Sequence, residues 1–246
     1  VLQSQEGAAV QAYLDKRRIR RGIAVRFGMG AAPDSWDALL TAMTHKGYTK
    51  QELISAGLAV NGKNGRLYDK FRNRLMLPVI DVRGDVVGFG SRVLDKSEPK
   101  YMNTPETLTY SKRRILYGMN LAKKSKRSNI ILCEGNLDVV TLHQAGFDNA
   151  VASMGTALTQ EQLRLLSRYT KELVLCYDND NAGQQATRRA LELLNNSEFS
   201  VKVLQLPRRL VDGEYIKQDA DDFIKLQGPA AFERLLTGSE NGVEFR

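Results

Sequence analysis

The chain has 246 residues, of which 42% are hydrophobic and 26% charged, with a net charge of +8 and two cysteines. That length buries a sizeable core, with room for two subdomains, and the ordinary composition excludes fibrous, collagenous and disordered classes. No apolar run approaches the roughly 20 residues of a helical membrane span and no signal-peptide pattern opens the chain, so the expectation is a cytoplasmic protein without a membrane partner.

The start, Val1-Leu2-Gln3, has no initiator Met and reads as an excised piece. Charge is uneven: residues 1–127 carry 24 basic against 11 acidic side chains, while 128–246 carry 12 against 17. A basic half that attracts phosphates and an acidic half that holds metal are what a nucleic-acid enzyme needs; a solubilising surface explains the charge equally well. Cys133 and Cys176 each precede a strand-end acid and belong to no CxxC pair, which predicts buried thiols, a reducing compartment and no zinc.

In the basic half, residues 4–21 read as a helix with Ala8, Ala9, Ala12, Tyr13 and Ile19 roughly a turn apart, ending in Lys16, Arg17, Arg18, Arg20 and Arg21. Residues 24–30 read as a short strand; its Gly28-Met29-Gly30 lacks the third glycine and the βαβ context of a dinucleotide site. Asp34-Ser35 is the candidate cap of a helix carrying Trp36, Leu39, Leu40 and Met43, and a second helix is predicted over 49–56. His45 between them has no partner at ligand spacing and reads as a surface residue. Asn61-Gly62 marks a turn. Residues 71–80 and 86–94 form an antiparallel hairpin about Arg83-Gly84. Glycines at 88 and 90 weaken that strand unless something approaches its backbone, a template strand or nucleotide being the candidates. Residues 99–106 are extended and polar, a mixture of cation, aromatic and amide that contacts phosphates and stacks bases.

The acidic half alternates strand and helix. An apolar strand at 129–133 delivers Glu134-Gly135, and a helix follows over 137–145 with Asp138 in its first turn and His143 as a surface or packing residue. For Asp138 a helix-dipole role and a functional one stand even. A short strand at 150–152 leads to the small-residue turn 153–157, and Thr159 with Gln162 fits a capping box. The strand at 172–177 delivers Asp178-Asn179-Asp180, a long helix follows to about 194, and a fourth strand spans 201–206. A polar loop leads to Asp219-Ala220-Asp221-Asp222, then short helices over 223–227 and 229–237. The expected fold is α/β: a mostly parallel four-stranded sheet at 128–222, preceded by a basic mixed α+β subdomain at 1–127 and followed at 223–246 by the start of a truncated helical region.

Ligands of such sheets sit beyond the carboxyl ends of the strands. Asp180 or Asp222 alone reads as a helix cap. The set, Glu134 with the pairs Asp178/Asp180 and Asp219/Asp221, places mutually repelling carboxylates on one edge, a repulsion that hard divalent cations relieve. Two such cations stabilise the attacking and leaving oxygens of an in-line displacement.

Glu-Gly after one strand and Asp-x-Asp after another resemble the toprim signature. Cys133-Glu134-Gly135-Asn136-Leu137-Asp138-Val139 is similar to the primase motif EGYMDV, Ala152-Ser153-Met154-Gly155-Thr156 to ASLGT, and Tyr177-Asp178-Asn179-Asp180-Asn181-Ala182-Gly183 to YDGDxAG. Upstream, Arg72-Asn73-Arg74-Leu75-Met76-Leu77-Pro78-Val79 resembles FRxRxMFPI. Gly88-Phe89-Gly90-Ser91-Arg92-Val93-Leu94 resembles GFGGRxL, and Pro99-Lys100-Tyr101-Met102-Asn103-Thr104-Pro105-Glu106 resembles PKYLNSPE. Nearly the whole chain resembles the RNA-polymerase core of DnaG-type bacterial DNA primases, with a toprim fold. Departures are Asn136, Leu137 and Asn179, and Ala220 where the family has Pro.

The resemblance implies metal-dependent synthesis of RNA primers on a single-stranded DNA template from ribonucleoside triphosphates. It implies Mg²⁺, or Mn²⁺ in its place, at Glu134, Asp178, Asp180, Asp219 and Asp221, with Glu134, Asp178 and Asp180 catalytic and Asp138 in support. Template and nucleotide would be bound by Arg17, Arg72, Arg74, Arg92, Lys100, Asn103 and Lys112. The implied partners are template, ribonucleotides, an RNA primer/DNA hybrid and, through a domain outside this chain, the replicative helicase, in a monomer at the bacterial replication fork. A toprim nuclease or topoisomerase fragment and a non-catalytic single-strand-binding module are the alternatives.

Overall fold

The structure, a computed structural model, describes residues 4–207, 209–211, 214–216, 218–238 and 240–241; Val1-Leu2-Gln3 lies outside them. It comprises two compact units, residues 1–80 with 85–111, and 81–84 with 112–246.

The first unit opens with a 3-10 turn and helix α1, Ala8–Lys16, then α2, Arg21–Arg26. The single helix expected over 4–21 is thus broken, because Arg18 takes a left-handed φ of 57°. The expected strand over 24–30 is also mostly helix. Ala24 and Phe27, about a turn apart, are buried while Val25 between them is 67% exposed, a helical rather than an alternating pattern. Strand β1 is Gly30–Ala32. Helices α3, Ala38–His45, and α4, Lys50–Ser55, follow. Thr49 and Glu52 close a capping box on α4. The α3 cap is not Asp34 or Ser35: the amides of Leu39 and Leu40 donate to the carboxylate of buried Asp69, at 2.7 and 2.9 Å.

Asp69 ends the hairpin of β2, Ala59–Asn61, and β3, Leu67–Asp69. The larger hairpin pairs β4, Arg74–Ile80, with β5, Val86–Val93, and β6, Tyr101–Asn103, joins β5. The sheet order is β1-β4-β5-β6, antiparallel throughout. Leu75, Leu77 and Val79 are buried and alternate along β4 with less buried residues. Gly88 does admit a close neighbour, but an internal one: a Cβ there would lie 3.0 Å from the Tyr110 ring and 3.2 Å from Thr104.

The second unit holds α5, Met119–Ala122, then β7, Asn129–Cys133, α6, Asn136–Gln144, and β8, Ala150–Ala152. It continues with α7, Gln160–Leu166, β9, Glu172–Cys176, α8, Asn181–Leu194, and β10, Ser200–Val203. Strands β10-β9-β7-β8 are parallel neighbours, the expected four-stranded sheet. Burial on both faces explains the continuous apolar runs of β7 and β9, whose Ile130, Leu132, Leu173 and Leu175 join Val151, Leu166 and Leu191 in one core. The polar loop expected after β10 contains a small hairpin, β11, Arg209–Val211, with β12, Glu214–Ile216. Helices α9, Ala220–Gln227, and α10, Pro229–Thr237, close the unit through Phe232, which meets Phe147 at 4.8 Å and Phe223 at 6.1 Å between ring centroids. A fifth strand, β13, Glu240–Asn241, pairs antiparallel with β10.

Candidate metal centre and basic surface

Cys133 and Cys176 are register partners on β7 and β9, so Glu134 and Tyr177-Asp178 emerge side by side from the carboxyl edge. Glu134 is exposed, and Asp178 and Asp180 are half-buried. Asp180 is also the N-cap of α8, accepting from the Gly183 amide at 2.8 Å. Gly183 itself is required by space: a Cβ there would stand 2.0 Å from the Asp178 carbonyl oxygen. The first turn of α8 therefore closes directly over Asp178. Asn179 donates to the Leu206 carbonyl at 3.0 Å, tying this turn to the end of the β10 segment.

Asp138 sits among the remaining acids. Its carboxylate accepts from the Gly135 amide at 3.1 Å, and from the Asp221 amide at 3.3 Å. Burial pushes its pKa well above the usual carboxylate range, and the charges of Asp219, Asp178 and Asp221 push it further the same way. Asp138 thus lies within the field of Asp178 and of the second acid pair. Asp219 caps α9, accepting from the Asp222 amide at 2.7 Å. Asp221 is buried, with Thr141 Oγ1 donating to one oxygen and Lys225 Nζ to the other.

Asp219, Asp221 and Asp222 each bring a carboxylate oxygen within 4.8 Å of the others, the one such acidic group of three among the described residues. Glu134, Asp178 and Asp180 stand at adjacent strand ends without closing to that span. The chemistry of the donor set still fits a hard divalent cation: oxygen ligands, a surplus of negative charge and an Asp138 carboxyl driven toward its neutral form. The two thiols beneath are not donors. Both are buried, and Cys133 is pushed up by its hydrogen bond to Cys176, then by burial and by the Cys176, Asp138 and Asp178 charges. Sequence reasoning did not find Thr141 and Lys225. Lys225 four residues after Asp221 was the available signal.

The predicted cations divide by environment. In the first unit, Arg92 lies over the Tyr13 ring at 4.5 Å and Arg17 reaches the same ring at 5.6 Å. Arg92 faces Tyr101 across β5 and β6, and Lys100 approaches the Tyr101 ring at 5.5 Å. Arg17, Arg92 and Lys100 are thus interleaved with two tyrosines. Burial raises the Tyr13 pKa despite Arg17 and Arg92, which lower it. A second set stacks Arg72 on Trp36 at 4.2 Å and Tyr68 at 5.0 Å, with Trp36 60% exposed. Sequence reasoning missed Trp36 as a surface aromatic because it counted it into α3. Arg74 differs: it is 5% exposed, its Nη2 donates to the Pro99 carbonyl at 2.8 Å, and burial lowers its pKa. Asn103 is half-buried on β6. Lys112, in the second unit, is half-buried, and its carbonyl accepts from Gln162 at 3.0 Å.

Residues 1–123 match the family described as DNA primase catalytic core, N-terminal domain, and residues 131–224 match Toprim-like. The chain belongs to the DNA primase catalytic-core family. It is 46% identical to DNA primase of Clostridium acetobutylicum over 235 residues, 95% of this chain and 38% of that protein. It is 40% identical to DNA primase of Escherichia coli K12 over 234 residues, 94% of this chain and 39% of that protein. The chain spans about two fifths of the length of these curated relatives. Among solved structures it resembles the E. coli primase catalytic core, with a TM-score of 0.89 and 38% identity, covering 99% of this chain and 77% of that one. It also resembles the DnaG primase catalytic domain bound to ssDNA, at 0.88 and 37%, covering 99% and 75%.

Proposed function

We propose that this chain is the catalytic core for DNA-templated synthesis of short RNA primers from ribonucleoside triphosphates. The observation that carries the proposal is that Glu134 and Asp178 emerge side by side from the carboxyl edge of the parallel sheet in the Toprim-like part of a primase-family chain. Glu134, Asp178, Asp180 and Asp219 would hold one or two Mg²⁺ or Mn²⁺. Such cations activate a ribonucleotide 3′-hydroxyl and neutralise charge on the attacked α-phosphate.

The protein's part is placement. Glu134 and Asp178 follow neighbouring strands whose register is set by buried apolar residues, so the backbone that carries both carboxylates is fixed before substrate binds. Asp180 keeps the first turn of α8 tight against Asp178. In the basic unit, Arg17, Arg92 and Lys100 would contact template or triphosphate oxygens, while Tyr101 and Trp36 offer faces for bases. Asn103 and Lys112 would join that binding. For Arg74, burial and the bond to Pro99 support a role in bracing the segment before β6.

A single-stranded DNA template fits this reading, since one structural relative is described as bound to ssDNA. An RNA primer/DNA hybrid would be the product, and helicase contact would belong to a segment outside this chain. We assign template and nucleotide binding to residues 1–127, catalysis to 128–222 and a separate C-terminal region to 223–246, in a cytoplasmic monomer at the replication fork.

The test is ribonucleotide incorporation on single-stranded DNA with Mg²⁺ or Mn²⁺. Asp178→Asn and Glu134→Gln should each lower the rate by about 10² or more. Undiminished synthesis by either variant would remove that residue from the site, and metal-dependent nicking without incorporation would point to a toprim nuclease instead.

A further inference from the structure

Asp221 carries the anomaly. Its side chain is 2% exposed, and both carboxylate oxygens are engaged, one by Thr141 Oγ1 and the other by Lys225 Nζ. Its own amide donates to Asp138. Thr141 and Asp138 lie three residues apart on α6, hence on one face of that helix, so α6 grips the first turn of α9 at two levels. The same turn carries Asp219 as its N-cap, where its charge acts on Asp138.

A divalent cation placed on Asp221 would meet the Lys225 ammonium on the same carboxylate, and like charges at that depth repel strongly. The negative charge of Asp221 is already balanced within the protein. Its closeness to Asp219 and Asp222 therefore has a source other than shared ligation: all three belong to one helix start.

We propose that Asp221 is a positioning residue rather than a metal ligand: Thr141 and Lys225 lock its carboxylate so that the start of α9 presents Asp219 beside Asp138. The inference rests on the metal reading above. It makes Thr141 and Lys225 unassigned contributors to the geometry of the centre, and it makes the Lys225 ammonium an internal cation that limits how much metal charge this end of the centre takes.

The measurement is Mn²⁺ titration calorimetry on the whole chain after metal removal, with folding checked by circular dichroism. The charge-neutral pair Asp221→Asn with Lys225→Met should keep the wild-type Mn²⁺ stoichiometry, because no ligand is removed, and weaken affinity by about tenfold, because the lock on the start of α9 is gone. Lys225→Met alone should bind Mn²⁺ about tenfold more tightly or take an additional ion, since a buried carboxylate has lost its cation. Lys225→Arg should return to wild-type affinity.

Loss of one Mn²⁺ equivalent in the folded double variant, or an affinity unchanged from wild type, overturns the proposal. If the double variant does not fold, Lys225→Met decides: unchanged affinity overturns the proposal and tighter binding supports it. A wild-type chain that binds no Mn²⁺ overturns the metal reading and this inference with it, whereas loss of binding in Asp178→Asn alongside full stoichiometry and weaker affinity in the double variant upholds both.

Discussion

At the scale of single residues, the strand-end acids were legible and their wiring was not. Glu134 and Asp178 follow continuous apolar runs, a pattern one window of sequence contains. The Asp138–Asp221 link spans 83 positions, and nothing local announces it. Two residue-level predictions follow from close packing and from charge. Gly183→Ala would push a methyl group into the Asp178 backbone, where the open distance is 2.0 Å. The expected loss is about 1–3 kcal/mol of stability, read by urea unfolding, with primer synthesis falling in parallel. Gly22 in α2 is the control, since a Cβ there meets nothing within 4 Å. Gly22→Ala should be neutral or stabilise by up to about 1 kcal/mol.

Asp138 supplies the second. Its folded pKa is raised, so its contribution to stability is fully present below the unfolded value of about 4 and is lost as pH rises through the folded pKa. In EDTA, thermal stability should fall as pH rises above the unfolded carboxylate value of about 4, and added Mn²⁺ should restore more of it at the higher pH. Asp138→Asn should flatten the EDTA profile. A profile in EDTA that rises over that range, in wild type as in the variant, would show that Asp138 is ionised without penalty.

At the scale of elements, agreement followed the strength of the local signal. Helix α7 begins at Thr159, as its capping box predicts, α4 lies within the expected 49–56, and the β4–β5 hairpin turns at Gly84 with φ 105°. Errors arose where tertiary packing outweighed the local pattern. Residues 24–30 read as a strand, yet Ala24 and Phe27 bury together and the segment from Arg21 to Arg26 makes a helix. The short strands β11, β12 and β13 carry two or three residues each, too few for any period to register. The α3 cap was misassigned because its carboxylate comes from Asp69, some 30 residues downstream. Replacing that carboxylate leaves two helix amides without their charged acceptor. Asp69→Ala should therefore cost about 1–3 kcal/mol, seen as a lower urea midpoint with unchanged slope, whereas Asp34→Ala should cost under about 0.5 kcal/mol.

At the scale of the whole molecule, the contrast between a basic and an acidic half corresponds closely to the two compact units, and each unit has its own sheet. Charge alone did not distinguish a binding surface from a solubilising one. The structure separates the cations by environment instead, with Lys100 exposed and Arg74 5% exposed and bonded to Pro99. A phosphate contact and a structural strut respond differently to salt. Each cation that neutralises a phosphate on single-stranded DNA contributes about 0.7 to the slope of log affinity against log salt. Lys100→Gln should lower that slope by about 0.7 and leave thermal stability unchanged. Arg74→Gln should leave the slope unchanged while lowering stability, because it removes a buried donor from the Pro99 carbonyl. Fluorescence anisotropy with labelled single-stranded DNA over a salt series, paired with thermal melts, distinguishes the two. Equal slope losses in both variants would mean that Arg74 leaves its buried position to reach DNA; an unchanged slope in Lys100→Gln would remove that residue from the template path.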